Sequence, residues 1–586
     1  MSDLLNQASL VYIPSGYKED TAYSVIPTDG SGDLTFTRAS DGTRVNSQGL
    51  VERVPWNLVQ YSEQFDNAYW NKYQSAVTSN SITAPNGTTT ADKLEFTASG
   101  TAVLFATSTA IQSQIYTLSC YGKKGATNFL QLGFTLSGGD KAAQFNLNTG
   151  VVSSVDSGVT ATIESVGNGW YRCQMYLTTD INSPNIFVNA TTGTTGDYIY
   201  IWGAQLNIGS TAKPYFPTTD RQNVPRLTYE GGCPSLLLEP QRTNLVTYSE
   251  QFDDSSWNKN ACTISANVAT DPSGYVGADK FIPNNGSSAA NFQKVNFAAS
   301  GSTAYSFSVF VKASGFTSVD IGLIGRSPAY NGGAFAQVNL STGVITSTYV
   351  DLTWTSATSK IDALNDGWYR VSVSGVSPSG TTGLTPAVIS STTGNGTDGI
   401  LVWGAQTEAG SYPTSYIPTT SAAVTRIADA AYKTGISSLI GQTEGTLFVE
   451  LKHSITNTTE DTRFILSNNT YDNWLFFSIE NGTSLRYYMT TAGVNLLDTT
   501  ISNVFPTAGV YKVALAYQDD LFTIYVNGVQ KVNNTNSTTI PAMSAFLLSG
   551  KEGITSAVEL VNKQVNQAAL FKTRLTNDQL AALTTL

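Results

Sequence analysis

Charge is what this sequence has least of. Asp, Glu, Lys and Arg make up 13% of its 586 residues, about half the usual share of a soluble domain. The formal net charge is -11 and the pI about 4.7, so no basic footprint exists for nucleic acid or an anionic membrane, and neither partner is expected. Histidine occurs once, at His453, which allows at most one Ser-His-Asp or Cys-His arrangement and excludes a His-rich metal site. Cysteine occurs four times, at Cys120, Cys173, Cys233 and Cys262, with neither metal-ligand spacing nor a dense disulfide framework. No apolar run reaches the roughly 20 residues of a membrane span, and the opening Met1-Ser-Asp-Leu-Leu-Asn-Gln lacks the basic and apolar stretches of a secretory signal. The expectation is a chain made in a cytoplasm, without membrane insertion, that reaches the outside by lysis. A glycine-rich phosphate loop with its lysine and a Cys-x-x-Cys pair are both missing. No cofactor, no metal and no catalytic residue is assigned.

What fills the place of charge is Ser, Thr, Asn and Gly on a chain that is still 41% hydrophobic and 11% aromatic, enough to offset the entropy of ordering. At this length several cores are required. The sequence repeats itself: Asn57-Leu-Val-Gln-Tyr-Ser-Glu-Gln-Phe-Asp-Asn-Ala-Tyr-Trp-Asn-Lys72 returns as Asn244-Leu-Val-Thr-Tyr-Ser-Glu-Gln-Phe-Asp-Asp-Ser-Ser-Trp-Asn-Lys259. In strict order there follow Thr90-Ala-Asp-Lys-Leu94 with Gly277-Ala-Asp-Lys-Phe281, Tyr116–Lys123 with Tyr305–Lys312, Asn168-Gly-Trp-Tyr-Arg172 with Asp366-Gly-Trp-Tyr-Arg370, and Trp202-Gly-Ala-Gln205 with Trp403-Gly-Ala-Gln406. The chain is therefore a duplication. Within the blocks the period is 2: Leu118, Cys120 and Gly122 alternate with Thr117, Ser119 and Tyr121, which is the pattern of half-buried strands. Short strands between Gly, Asn, Ser and Thr turns predict an all-β fold of tandem antiparallel sandwiches of jelly-roll type.

The alignment bears on the cysteines. Cys120 falls opposite Val309 and Cys173 opposite Val371, so both read as small core hydrophobes, the alternative being a Cys120–Cys173 disulfide. Cys233 and Cys262 have no arguable partner. From about Glu444 the style changes while the period persists, in Gly445–Glu450, Trp474–Ile479 and Tyr511–Tyr517. In Phe522-Thr-Ile-Tyr-Val-Asn-Gly-Val-Gln530 the Asn527-Gly528 pair is what a type I′ turn needs. Thr576 with Gln579 three residues on predicts a capping box opening a terminal helix.

Candidate chemistry is thin. His453 reads as a strand residue. Asp519-Asp520 reads as a turn between strands, with rim calcium or acid catalysis as the alternatives. Glu63 and Glu250 occupy duplicated positions and read as local structural acids, the other reading being acids of a glycan-cleaving pair. Trp170, Trp202, Trp368 and Trp403 read as core, with a sugar-stacking platform as the alternative.

The run Tyr-x-Val-Ala-x-x-Tyr, then Tyr-Val-Asn-Gly, then the terminal Leu-Thr-x-x-Gln-Leu helix, resembles the concanavalin A-like, laminin-G-type sandwich of lectins and phage fibres over roughly 440–586. The tandem modules, through Asn57, Leu58, Phe65, Trp70 and Asn244, Leu245, Phe252, Trp257, resemble the jelly-roll modules of phage head-spike and tail-fibre proteins and carbohydrate-binding modules. Thr37-Arg-Ala-Ser-Asp-Gly-Thr-Arg-Val-Asn-Ser-Gln-Gly49 resembles the N-terminal region of such appendages, including head fibres of crAss-like phages. The resemblance implies a non-catalytic virion appendage, a head fibre or spike adhering to glycans, the alternative being a tail-fibre receptor-binding protein or a depolymerase tailspike. It implies a homotrimer docked to capsid or collar proteins. The corresponding division is 1–55 as an attachment base, 56–222 and 223–425 as the two modules, and 426–586 as the lectin-like sandwich.

Overall fold

The computed structural model describes residues 2–110, 112–229, 232–327, 329–453, 462–470, 472–535, 539–550 and 563–586. The fold is all-β, and its named strands pair antiparallel into sandwiches. Among the described residues the only α-helices are Ser2–Leu5 and Asn577–Thr584. The latter carries the expected capping box, Thr576 and Gln579 exchanging side-chain and backbone bonds. No helix there is long and apolar enough to cross a membrane. The chain divides into two compact units, 53–222 on one hand and 1–52 with 223–586 on the other.

Unit 53–222 is a two-sheet sandwich. One sheet runs Val151–Val155, Gly139–Asn146, Phe129–Leu136, Asn185–Gly193, Gly100–Thr107, Asn71–Tyr73 from edge to edge. The other runs Thr160–Gly167, Trp170–Thr178, Ile115–Lys123, Tyr198–Ile208, Ala91–Phe96, Ser75–Ile82. The alternation seen in the sequence sends Leu130, Leu132 and Phe134 of the first sheet and Leu118 and Cys120 of the second into one core.

The second module, within the larger unit, repeats this order strand for strand. Val344–Leu352, Gly332–Asn339, Ser318–Ser327, Gly383–Ser390, Asn291–Lys294 and Trp257–Asn260 form one sheet, with the short Phe297–Ala298 strand added beside Gly383–Ser390. Thr355–Ala363, Tyr369–Val376, Ala304–Ser314, Gly399–Ala409, Val276–Pro283 and Cys262–Thr270 form the other.

The duplicated strings hold the modules by the same bonds. Asn57 donates to the carbonyls of Ala204 (3.0 Å) and Phe216 (2.9 Å) and accepts from the amides of Val59 and Leu206. Asn244 donates to Ala405 (3.1 Å) and Ile417 (2.8 Å) and accepts from Val246 and Thr407. Each amide satisfies four buried backbone groups, which is why an uncharged polar residue persists where no solvent reaches. Asp92 accepts from the amides of Phe65 and Asn80, and Asp279 from those of Phe252 and Asn267.

Burial pushes Asp92 up to about 6 and Asp279 up to about 7 despite those bonds. Both lie above the roughly 3.9 of an unfolded aspartate, so the folded state binds protons more tightly. Their contribution to stability therefore falls as pH rises from about 4 to about 7. Urea midpoints measured between pH 4.5 and 7.5 are expected to decline, and Asp279→Asn is expected to flatten that decline. An unchanged slope in the variant contradicts the assignment.

Cys120 and Cys173 are directly opposed across neighbouring strands, as Val309 and Val371 are in the second module. Both cysteines are free and buried, so the valine-like reading describes their place and the disulfide is not formed. Burial pushes the Cys120 thiol up to about 12 and the Cys262 thiol up to about 11, while Cys233 is exposed. Reaction of the native protein with a thiol reagent is expected to give one fast equivalent, abolished by Cys233→Ser. The other thiols are expected to react only on unfolding.

The C-terminal sandwich departs from the sequential division. Residues 1–55 are not a separate base: Leu10–Tyr12 pairs with Lys563–Phe571, and Leu34–Thr37 pairs with Ala430–Thr434. One sheet runs Arg226–Thr228, Ser235–Leu238, Lys563–Phe571, Glu444–His453, Gly509–Gln518, Leu521–Val526, Val529–Asn534. The other runs Pro14–Lys18, Thr21–Ser24, Leu34–Thr37, Ala430–Thr434, Ala545–Leu547, Thr462–Ser467, Trp474–Glu480, Ser484–Thr491, Val494–Ile501. Their shared core joins Leu10, Tyr12 and Phe36 with Leu236 and Leu238 and with Phe464, Phe477 and Leu515. The sandwich is thus built from three stretches of chain, and both modules are insertions between its strands. The physical reason is burial: the apolar sides of these short N-terminal strands and of Ser235–Leu238 have no core of their own.

Where the three stretches meet lies a buried ionic cluster. Asp429 binds Arg38 (2.9 Å) and Arg226, and Glu239 binds Arg226 (2.7 Å) and Arg426, all five side chains being 0–1% exposed. Ser415 donates to Glu239 through its amide (2.7 Å) and hydroxyl (2.6 Å). Burial raises the Glu239 carboxyl, but Arg426, Arg226 and Ser415 outweigh it and hold it at about 2.

Candidate functional site

Most acids and aromatics singled out in the sequence turn out to be internal fittings. Glu63 accepts from Tyr215 Oη (3.1 Å) and Glu250 from Tyr416 Oη (3.0 Å), the same bond in each module. Burial raises the Glu63 carboxyl against the bonds of Tyr215, Trp202 and Thr90. Trp170 and Trp368 donate their indole N–H groups to the carbonyls of Thr83 and Thr270, and all four repeated tryptophans, with Trp202 and Trp403, are buried. None offers a face to a sugar. His453 is buried between Phe505 and Tyr511 with Nε2 2.7 Å from the Gly482 carbonyl, and desolvation lowers its pKa. Asp519-Asp520 forms a turn in which Asp520 has φ 59° and Asp519 accepts from the Ile540 amide at 3.0 Å. Among the described residues no group of three or more His, Cys, Asp and Glu side chains is placed to hold a metal.

The open feature is the outward face of the second module's larger sheet. Because Val319, Ile321 and Leu323 point into the core, Asp320, Gly322 and Ile324 point out. Register places Gln337 beside Asp320 and Phe335 beside Gly322 on one neighbouring strand, then Tyr349 beside Phe335 on the next. Phe335 lies flat over the glycine: a Cβ at Gly322 would come within 2.7 Å of its ring. Tyr349 stacks on Phe335 with centroids 5.1 Å apart and planes at 17°. Tyr349, on its strand, is 41% exposed, and Tyr330, in the connection between Ser318–Ser327 and Gly332–Asn339, is 47% exposed.

Polar groups ring these aromatics. Gln337 donates to Asp320 at 3.3 Å, Tyr330 donates its hydroxyl to Asp351, and Arg326 lies 5.6 Å from the Tyr330 ring while donating to Gln293 at 3.1 Å. Burial raises the Asp320 carboxyl against bonds from Gln337 and Ser391. Burial and the Asp351 bond push the Tyr330 hydroxyl up to about 12. The first module shows the same plan with the ring moved. Gly133 matches Gly322, and its cover is Phe187 from the opposite neighbouring strand, whose ring fills the space a Cβ would need. There the row beside the ring is amide: Asn189 donates to Gln131 (3.2 Å) and Gln144 to Thr191 (2.8 Å). Phe187 and Phe335 are both buried, at 5% and 8% exposed, and what the second module adds is the open Tyr349 ring beside its phenylalanine.

None of Asp320, Tyr330, Phe335 and Tyr349 stood out in the sequence. Their signal is phase: aromatic residues on the solvent side of an alternating strand. The C-terminal sandwich carries a comparable ladder, Phe476 stacked on Tyr488 at 5.0 Å with Arg463 and Arg486 over the rings; its phenylalanine is buried as Phe335 is, but Tyr488 is half-buried where Tyr349 is exposed.

No family model matches the sequence, and no curated protein matches it. Solved structures do. The CBM40 module of the Ruminococcus gnavus IT-sialidase, bound to alpha2,3 sialyllactose, is 15% identical, with 26% of this chain and 91% of that one covered and a TM-score of 0.23. A point mutant of NanB sialidase from Streptococcus pneumoniae is 16% identical over 26% of each chain, TM-score 0.22. The Caenorhabditis elegans galectin LEC-6 is 15% identical over 24% of this chain and 88% of that one, TM-score 0.18.

Proposed function

We propose that this chain is a non-catalytic, glycan-binding appendage protein, displayed as a head fibre or spike on a bacteriophage particle. The observation that carries the glycan reading is the outward sheet face of the second module, where stacked Phe335 and exposed Tyr349 stand beside Asp320 and Gln337. A flat apolar ring meets the C–H side of a pyranose while carboxylate and amide groups bond its hydroxyls. The phage setting rests on the resemblance of the Thr37–Gly49 string and the tandem modules to virion appendages. A homotrimer fits this reading, since repeated weak sites on many copies gain about 10² to 10⁴ in avidity. Attachment through a free N-terminal base does not belong to it, because Leu10–Tyr12 and Leu34–Thr37 are strands of the sandwich.

Two measurements test the proposal. On a glycan array the whole chain is expected to bind, and Tyr349→Ala is expected to lose at least about tenfold, the equivalent of roughly 1.4 kcal/mol, with unfolding unchanged. Binding that ignores Tyr349 removes this face from the reading. Antibody labelling of intact particles is expected to mark one defined place, whereas antigen found only free in the lysate overturns the virion setting.

A further inference from the structure

The charges around the platform are of one kind where they matter most. Asp320 and Asp351 flank the Phe335–Tyr349 stack, next to Gly322 and Gly333 respectively, in a region where desolvation raises the Asp320 carboxyl. Arg326, the one cation of this face named above, is turned to Gln293 and the Tyr330 ring. In the first module the position matching Asp320 holds Gln131, opposite Asn189, and an acid of that face, Asp140, is bonded by Thr135 away from that position. The duplication has thus placed a carboxylate at the centre of one face and an amide at the centre of the other.

We infer that the second module's face selects uncharged sugars presenting adjacent hydroxyls and excludes sugars that carry a carboxylate, an inference that rests on the glycan-binding reading above. The chemistry is that of a fixed acceptor. An ionised carboxylate has about four lone-pair positions and no donor. Gln337 and Ser391 bond the Asp320 carboxyl, and it stands near enough to Tyr349 that burial and this charge together raise the Tyr349 hydroxyl. Two neighbouring hydroxyls donate to such a group as charge-assisted bonds, stronger than neutral ones. A sialic or uronic acid would bring a second negative charge to a partly desolvated one, and Arg326, the cation of this face, is engaged by Gln293 and the Tyr330 ring.

The test uses the full chain on immobilised uncharged oligosaccharides (lactose, cellotetraose, maltotetraose, mannotetraose) and on carboxylated ones (3′-sialyllactose, 6′-sialyllactose, tetragalacturonate), at pH 7.5 and fixed salt. Retention is expected on the uncharged set alone. Asp320→Asn, which keeps the shape and the Gln337 contact, is expected to weaken that retention at least tenfold without shifting thermal unfolding. Asp320→Lys is expected to move retention toward the carboxylated set. Wild-type binding to carboxylated glycans that Asp320→Asn leaves equal or stronger overturns the selectivity while leaving glycan binding in place. Silence on both sets overturns the glycan reading itself, and the selectivity with it.

Discussion

Asp429→Ala is expected to destabilise the unit formed by residues 1–52 and 223–586 by about 3–5 kcal/mol, the usual cost of removing one partner of a buried ion pair. Asp429 binds two guanidinium groups, Arg38 and Arg226, and also accepts the Glu239 amide at 2.8 Å. Its loss takes the buried carboxylate from Arg38 and leaves Arg226 and Arg426 to share Glu239. At about 1 °C per kcal/mol for a unit of this size, its midpoint falls by roughly 3–5 °C. Unit 53–222 contains none of the five side chains, so a calorimetric trace is expected to keep its transition in place. A uniform shift of every transition, or none, contradicts the assignment. The cluster should also survive acid, because Glu239 is held at about 2, below its unfolded value. A depressed carboxylate stabilises above its unfolded pKa, near 4.3, and loses that contribution only as pH falls through about 2.

Removing residues 1–40 is expected to do more: the C-terminal sandwich fails to fold, giving insoluble protein or a sandwich without cooperative unfolding. Those residues supply Leu10–Tyr12 to one sheet, Pro14–Lys18, Thr21–Ser24 and Leu34–Thr37 to the other, and Arg38 to the cluster. Without them Lys563–Phe571 loses a partner strand, Ala430–Thr434 becomes an unpaired edge, and Tyr12 and Phe36, both 0% exposed, leave holes in the core. Burying either ring is worth roughly 2–3 kcal/mol, before the lost ladders are counted. By contrast, residues 53–222 expressed alone are expected to fold, since both sheets and the whole core of that unit lie within them. A truncated chain with native thermal behaviour would mean that the N-terminal strands are ornament.

How far the sequence reads depends on where each residue's partner lies. The duplication, the all-β class, the Asn527-Gly528 turn with φ 48° and 79°, and the Thr576–Gln579 cap were all legible, because each is settled by residues a few places apart or by a string that recurs. The valine-like place of Cys120 and Cys173 was legible because the sister module states it. The candidate site is legible in the sequence only as a general possibility of stacking, and the repeated tryptophans, read as core, are buried. Trp170 and Trp202 recur because the core needs them. Tyr349 and Asp320 do not recur, and a face that differs between copies is invisible to an alignment of the copies.

By itself the sequence determined the local alphabet of this protein: alternating strands, turns that need positive φ, and two modules of one topology. Only the tertiary structure decided which strands share a sandwich. Three to five residues such as Leu10–Tyr12 carry no mark of the partner they will meet, and Arg38 finds Asp429 across 391 positions of chain. Hydrogen-bonding edges are chemically alike along the whole chain, so the pairing is chosen by which apolar faces and which buried charges can be satisfied together. That choice exists only once the chain has closed.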